Sequence, residues 1–383
     1  MTGKAAAGMR IAFHAPMKPP DDPLPSGDRQ VARLLVAALQ RGGHDVAVAS
    51  RLVTWRPRPD GEEDARLAAA ADAEARRILA DVAAGGARPA LWLTYHLYHK
   101  APDLLGPRVA GALAIPYVVV EASRAAKRAR DPWAARLALV DAALAAADAV
   151  VAVHADDAEG LAAVVPPGRL HLAPPFLDAA PFVEAGRRRV AAAAPRLLAV
   201  AMMRRGDKAR SYAILAEALG RLTDRAWTLD IVGDGPARAE VAAAFADAGL
   251  AGRVALRGVA RPAEMPAVYA AADLLVWPAV NEAYGMVFLE AQAAGLPVVG
   301  ASRPGVAAIV RDGKTGRLVA EGDVAAFAAA VAALLDDPDR RAAMGRAAAA
   351  HVARDHDIRA GARRLEAILA AAVAHHAASR CVP

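Results

Sequence analysis

The 383-residue chain is predicted to be an α/β protein of two doubly wound parallel domains, and three observations carry that expectation. Short apolar runs of strand length alternate with helical segments along the whole chain, which is the pattern of βα units. The runs fall into two series on either side of a Pro- and Arg-rich stretch at 174–194. The composition, 56% hydrophobic over a length that suits two ordinary domains, fills two cores without difficulty.

The first series comprises strand-like runs at 10–14, 45–49, 91–95, 117–121 and 149–153. Between the first two, residues 28–41 place Val31, Leu34, Leu35, Ala38 and Leu39 at core spacing and Arg29, Arg33 and Arg41 elsewhere, and the helix stops at Gly42-Gly43. The second series lies at 196–201, 228–232, 253–256, 273–277 and 298–300. Pro174-Pro175, Pro181 and the run Arg187-Arg188-Arg189 read as linker sequence. The expected division is 1–180, a linker at 181–194, 195–357, and a terminal helical segment at 358–383.

Several functions are disfavoured at this level. The net charge is +6, yet only 6 of the 47 basic residues are Lys and aromatics make up 4%, so no base-stacking basic face is indicated and nucleic acid is not expected as a partner. Cys381 is the only cysteine, which excludes a disulfide framework and a Cys-rich metal site and points to the cytoplasm. The apolar runs, such as 324–335, are too short to span a bilayer. The first strand runs into His14-Ala15-Pro16 with no G-x-G-x-x-G, which argues against a dehydrogenase. Asp-x-Asp triplets occur at 337–339 and 355–357, between helices near the C-terminus, and no metal is assigned to them.

The stretch 281–300, NEAYGMVFLEAQAAGLPVVG, carries most of the chemistry. The buried strand 273–277 closes at Pro278, a loop holding Glu282 runs to Tyr284, and Gly285 opens a helix. The amides of Gly285, Met286 and Val287 then point outward at the positive end of the helix dipole, where phosphates bind. Glu290 follows roughly 7.5 Å further along the axis, the distance of a ribose attached to those phosphates. A carboxylate on either side of a diphosphate would grip the transferred sugar and the ribose separately. The plainer assignment has Glu282 capping the helix and Glu290 solvated or salt-bridged. Against it stands the apolar company of Glu290, with Val287, Phe288, Leu289 and Ala291 around it, where a carboxylate needs a partner.

Glu282 and Glu290 at this spacing resemble the E-x7-E signature of the family 4 retaining glycosyltransferases, which have the GT-B fold of two Rossmann-like domains facing a central cleft. The resemblance extends through Ile231-Val232-Gly233-Asp234-Gly235-Pro236 upstream and 312–319 downstream, is strong over 195–355, and is weak in the first half. It implies an N-terminal acceptor domain, a C-terminal nucleotide-sugar domain, and a final helix that packs back on the first domain. It also implies retention of anomeric configuration, by front-face attack assisted by the leaving phosphate or, as the alternative, through a covalent intermediate.

Further site residues follow from loop position and this resemblance. After the strand ending near Val200, the loop 201–208 carries Arg204, Arg205 and Lys208. Lys208 matches the family's phosphate-binding Lys, whereas Ala201-Met202 stands where the family has Gly-Arg, leaving Arg204 or Arg205 to supply the second charge. Gly233 and Asp234 form a turn at a strand's carboxyl end, close to a nucleotide base or simply ahead of a helix near Pro236 that Asp234 caps. On the acceptor side, Gly27 opens a helix, with Ser26 or Asp28 as its cap. His96 and Glu121 end neighbouring strands, Glu121 replacing the family's His. Arg124, Lys127, Arg128, Arg130 and Arg136 form a basic stretch suited to an anionic acceptor or lipid headgroups, or to solvation alone.

The expected function is metal-independent transfer of a sugar from a nucleoside diphosphate donor, a substrate rather than a cofactor, to a hydroxyl of a carbohydrate, lipid-linked or small-molecule acceptor. No cofactor is expected, and the expected location is cytoplasmic, with peripheral membrane contact as a variant. Glu282, Lys208 and Arg204 form the catalytic set. The rival expectations are a GT-B-type nucleotide-sugar epimerase and a degenerate nucleotide-sugar-binding protein.

Overall fold

A computed structural model describes residues 8–23, 26–188, 194–283 and 285–380, so Tyr284 and Cys381 lie outside the described residues. The chain divides into two units, one of Met1–Pro174 with Arg359–Pro383 and the other of Pro175–Ile358.

In the first unit β1 (Arg10–His14), β2 (Asp45–Ser50), β3 (Leu91–Leu97), β4 (Tyr117–Ala122), β5 (Ala149–Ala152) and β6 (Leu170–Leu172) pair in parallel in the order β2-β1-β3-β4-β5-β6. The central strands are covered on both faces, which is why Leu91, Trp92 and Leu93 are all fully buried and read as a continuous apolar run. The helix Ile358–Ser379 returns to this unit. It is held there by Glu366 Oε1, 2.7 Å from His44 Nε2, and by His375 and His376, whose Nδ1 atoms lie 2.8 and 3.1 Å from the Asp148 carboxylate.

The second unit repeats the plan with β7 (Arg196–Val200), β8 (Thr228–Val232), β9 (Val254–Gly258), β10 (Leu274–Trp277), β11 (Val298–Ala301) and β12 (Gly316–Val319), in the order β12-β11-β10-β7-β8-β9. Strand order reverses between β1 and β3 in one sheet and between β7 and β10 in the other. At such a reversal the flanking helices leave on opposite faces and the strand ends open a crevice.

Among the described residues each sheet has six strands where the sequence shows five. The additional strands, β6 and β12, are edge strands of three and four residues, too short for an alternation to register. The expected linker at 181–194 is corrected: Ala180–Arg187 is a helix of the second unit, and 189–193 lie outside the described residues. Phe182 meets the Tyr269 ring edge-on at 5.8 Å, and a Cβ on Gly186 would sit 2.4 Å from Ala294 O, so this helix is packed against the unit rather than spanning open space. The helix expected near Pro236 begins at Arg238, with Ala237 rather than Asp234 at its N-cap.

Candidate active site

The reversal between β7 and β10 places two distant loops side by side. Lys208, in the first turn of helix Asp207–Gly220, donates to Glu282 Oε2 at 2.5 Å across 74 positions of sequence. Three more bonds clamp the β10 loop to its surroundings. Val280 N donates to Ser211 Oγ (3.0 Å), Asn281 Nδ2 to Asp207 Oδ2 (3.0 Å), and Asn281 N to Glu321 Oε2 (3.0 Å). The loop is bent sharply, with Ala279 and Asn281 at φ 55° and 50°. Asn tolerates that left-handed region, but Ala279 is strained by about 1–2 kcal/mol, which the clamp must outweigh. Lys208 Nζ also lies 5.5 Å from the centroid of Trp277, so the ammonium is held by a carboxylate and a ring face together.

Glu282 caps no helix. The helix Met286–Ala293 starts from Gly285 at φ 68° with no side-chain cap, and a Cβ there would press on Phe288 at 2.9 Å and Glu282 Cγ at 3.2 Å. Phe288 N bonds Gly285 O at 2.9 Å, so Phe288 N is taken within the first turn. Glu290 is buried, and its Oε2 accepts from the Tyr269 hydroxyl at 2.7 Å. Burial and the adjacent Glu290 charge raise the Tyr269 phenol well above its ordinary range, so it remains a donor.

Gly233 and Gly235 at φ 141° and 153° let the turn after β8 approach the β7 loop. A Cβ on Gly233 would lie 1.9 Å from Ala201 O, and one on Gly235 would lie 2.5 Å from Met203 O. Asp234 Oδ1 accepts from Gly235 N at 2.7 Å, and Arg238 reaches its other oxygen at 3.4 Å. Arg204 and Arg205 are exposed on the β7 loop, and among the described residues neither side chain forms an ion pair.

In the first unit the strand ends gather a second polar group. His96 and Glu121 hold left-handed backbone at φ 65° and 59°, both near the carboxyl ends of adjacent strands. His96 Nδ1 lies 3.4 Å from Glu121 Oε1 and 3.7 Å from Asp28 Oδ1. Gly27 is the first residue of helix Gly27–Arg41, with open space where its Cβ would be. Ser26 occupies the N-cap without capping; its hydroxyl donates to Asp28 Oδ2 (3.2 Å), and Lys18 donates to both. Burial raises the Asp28 pKa, but the bond to Lys18, the nearby His96 and Ser26 outweigh it and hold the carboxyl below its ordinary range. His154, which caps helix Ala155–Ala162 through Asp157 N, completes this edge. Its bond to Asp157 raises its pKa against the lowering effect of burial.

The basic stretch is largely neutralised. Arg124 grips Asp141 through two bonds of 2.7 and 2.9 Å, Arg128 pairs with Asp131 at 2.7 Å, and Arg136 is buried as a structural clamp, leaving Lys127 and Arg130 exposed.

Residues 194–337 match the family of group 1 glycosyl transferases. The matched segment, under half of the chain, is similar to that family. Its relatives include the D-inositol 3-phosphate glycosyltransferase of Thermobispora bispora, 46% identical over 123 residues, or 32% of this chain and 29% of the relative. A second is D-inositol 3-phosphate glycosyltransferase 2 of Catenulispora acidiphila, 50% identical over 86 residues, or 22% of this chain and 20% of that one. The chain therefore spans under a third of the curated relatives it matches. In fold the likeness is wider. The sucrose-phosphate synthase of Thermosynechococcus elongatus superposes with a TM-score of 0.71 at 21% identity, over 94% of this chain and 98% of that one. Anabaena HepE in complex with UDP gives 0.70 at 17% identity, over 94% and 100%. The fold is of the GT-B type.

The matched segment holds Arg204, Lys208, Gly233, Asp234, Glu282, Gly285, Met286, Val287 and Glu290, whereas Gly27, His96 and Glu121 lie outside it. Of the two Asp-x-Asp triplets, Asp337 caps helix Pro338–Asp355 through Arg340 N, and Asp355 is taken by His351, Arg354 and Arg311. Sequence reasoning missed Tyr269 in the matched segment. The available signal was the need of Glu290 for a buried donor, and only a tertiary contact could say which residue meets it.

Proposed function

We propose that the chain is a retaining, metal-independent glycosyltransferase that moves a sugar from a nucleoside diphosphate sugar to an acceptor hydroxyl. The observation that carries this reading is the Lys208–Glu282 pair beside the N-terminus of the Glu290 helix, inside the matched domain. The bond from the anomeric carbon to the diphosphate oxygen breaks, the acceptor oxygen bonds to the same face, and its proton passes to the departing phosphate. Lys208, Arg204 and the amides of Gly285, Met286 and Val287 offset the charge that grows on the diphosphate. Glu282 holds the transferred sugar and Glu290 the ribose. The acceptor is assigned to the first unit through Gly27, His96 and Glu121, as a carbohydrate, lipid-linked or small-molecule hydroxyl compound.

Thermal melting against a panel of nucleotide sugars tests the donor assignment, with UDP-sugars first because the Anabaena neighbour was seen with UDP. A ligand at about a hundred times its dissociation constant adds roughly 2.7 kcal/mol of stability. Product analysis follows: a glycosylated acceptor with the donor's anomeric configuration supports the reading, and an isomerised, intact nucleotide sugar replaces it with an epimerase.

Charge stabilisation by side chains and amides predicts that chelator leaves turnover unchanged. Activity lost in chelator and restored by magnesium or manganese would overturn that part of the scheme. The glutamates separate in a second comparison. Glu290→Gln is expected to weaken binding of the free nucleoside diphosphate by about 1.5–3 kcal/mol, through a lost charge-assisted bond to ribose. Glu282→Gln is expected to lower turnover while leaving diphosphate affinity nearly unchanged. Calorimetric titration beside steady-state kinetics checks both, and equal losses of diphosphate affinity would remove the assignment of roles. Peripheral contact with anionic lipid, carried by Lys127 and Arg130, predicts greater co-sedimentation with anionic than with neutral vesicles at low salt. Equal recovery, unaffected by changing both residues to Gln, would assign them to a solvated face.

A further inference from the structure

Tyr269 is the buried hydrogen-bond donor that meets Glu290. It sits in the short helix Met265–Ala270, fully buried, and its hydroxyl donates to Glu290 Oε2 at 2.7 Å. Its ring is backed by Phe182 at 5.8 Å, on the helix Ala180–Arg187. A carboxylate rotates about its last bond at little cost, so the direction in which it presents its lone pairs is set by what holds it. A donor fixed in a packed ring supplies that hold, and it also offsets the cost of keeping the charge out of water.

We propose that Tyr269 is a positioning residue for donor recognition: by holding one Glu290 oxygen it sets the carboxylate plane that reads the ribose hydroxyls, and so the preference of this domain for ribonucleotides. This rests on the assignment of Glu290 to the ribose made above. Tyr269 itself does not touch the donor.

The test uses the full chain and the tightest binder among UDP, ADP and GDP, each titrated against its 2′,3′-dideoxy analogue. Wild type is expected to favour the ribonucleotide by about tenfold or more, the value of one charge-assisted hydrogen bond. Tyr269→Phe keeps the ring and removes the hydroxyl. It is expected to cut that preference several-fold while affinity for the dideoxy analogue stays within about twofold, since the phosphate contacts are untouched. In turnover the same variant is expected to raise KM for the donor more than it lowers kcat. Phe182→Leu loosens the same packing but spares the hydroxyl, and is expected to keep the preference even if the melting temperature falls. Parallel loss of both ligands in Tyr269→Phe, or loss of preference in Phe182→Leu to the same degree, would make Tyr269 a packing residue and overturn the proposal. Glu290→Gln separates the two levels: unchanged preference in that variant, or no binding of any of the three diphosphates to wild type, overturns the ribose assignment itself and the proposal with it.

Discussion

Lys208→Met is expected to lower kcat by about 10²–10³-fold, equivalent to about 2.7–4 kcal/mol of lost transition-state stabilisation. Its ammonium is confined by Glu282 at 2.5 Å and by the Trp277 ring, so little rearrangement is needed when charge grows on the leaving diphosphate. Preorganisation of this kind raises kcat rather than ground-state affinity, because the charge it meets is larger in the transition state than in the bound donor. Exposed Arg204 and Arg205 lack such a frame, and single changes at either are expected to act more weakly. Steady-state kinetics on the folded variant, with circular dichroism to confirm the fold, decides the matter. A kcat within tenfold of wild type would remove Lys208 from the catalytic set.

Arg136→Leu is expected to cost about 3 kcal/mol of stability, the low end of the range for breaking a buried ion pair. Its guanidinium donates to three backbone carbonyls, those of Thr54 (2.5 Å), Lys100 (2.9 Å) and His99 (3.0 Å), and also to the Asp64 carboxylate. Leucine leaves those carbonyls without that donor in a site where Arg136 is 2% exposed. The Asp64 side chain, 27% exposed, regains water in the variant, which keeps the cost at that low end. Urea melts of the full chain, followed by a probe in the first unit, measure the effect. An unchanged midpoint would show that the clamp adds nothing net. Lys127→Gln and Arg130→Gln, on the exposed part of the same stretch, are expected to change stability by no more than about 0.5 kcal/mol.

The two cases differ in how far sequence could reach. Arg136 belongs to a run of cations that reads as one basic face, and nothing local distinguishes it from Lys127 or Arg130. The difference lies in Asp64 and in three carbonyls 36 to 82 positions away. The charged loop at Lys208 and the loop carboxylate Glu282 were both legible as loop groups at strand ends, since each follows a buried strand and precedes a helix. Their pairing was not, because it depends on β7 and β10 being neighbours, a fact of strand order rather than of either segment. Likewise the apolar surroundings of Glu290 showed that it needs a partner, while Tyr269 as that partner is a matter of helix packing.

What the sequence determined by itself is the alternation of elements, the two-domain α/β class, and the loop-then-helix layout of the 281–300 segment with Glu290 in apolar company. These depend on hydrophobic period, turn residues and helix ends, all of which act within a few residues of one another. What only the tertiary structure decided is register and neighbourhood. It assigned the stretch 180–187 to a packed helix instead of a linker, and it bent His96 and Glu121 into left-handed backbone with their side chains 3.4 Å apart. It also turned most of a basic run into internal ion pairs. Such outcomes follow from which strands lie side by side and which helices cover them, and those choices are made by the summed burial of many distant residues, not by any one stretch of chain.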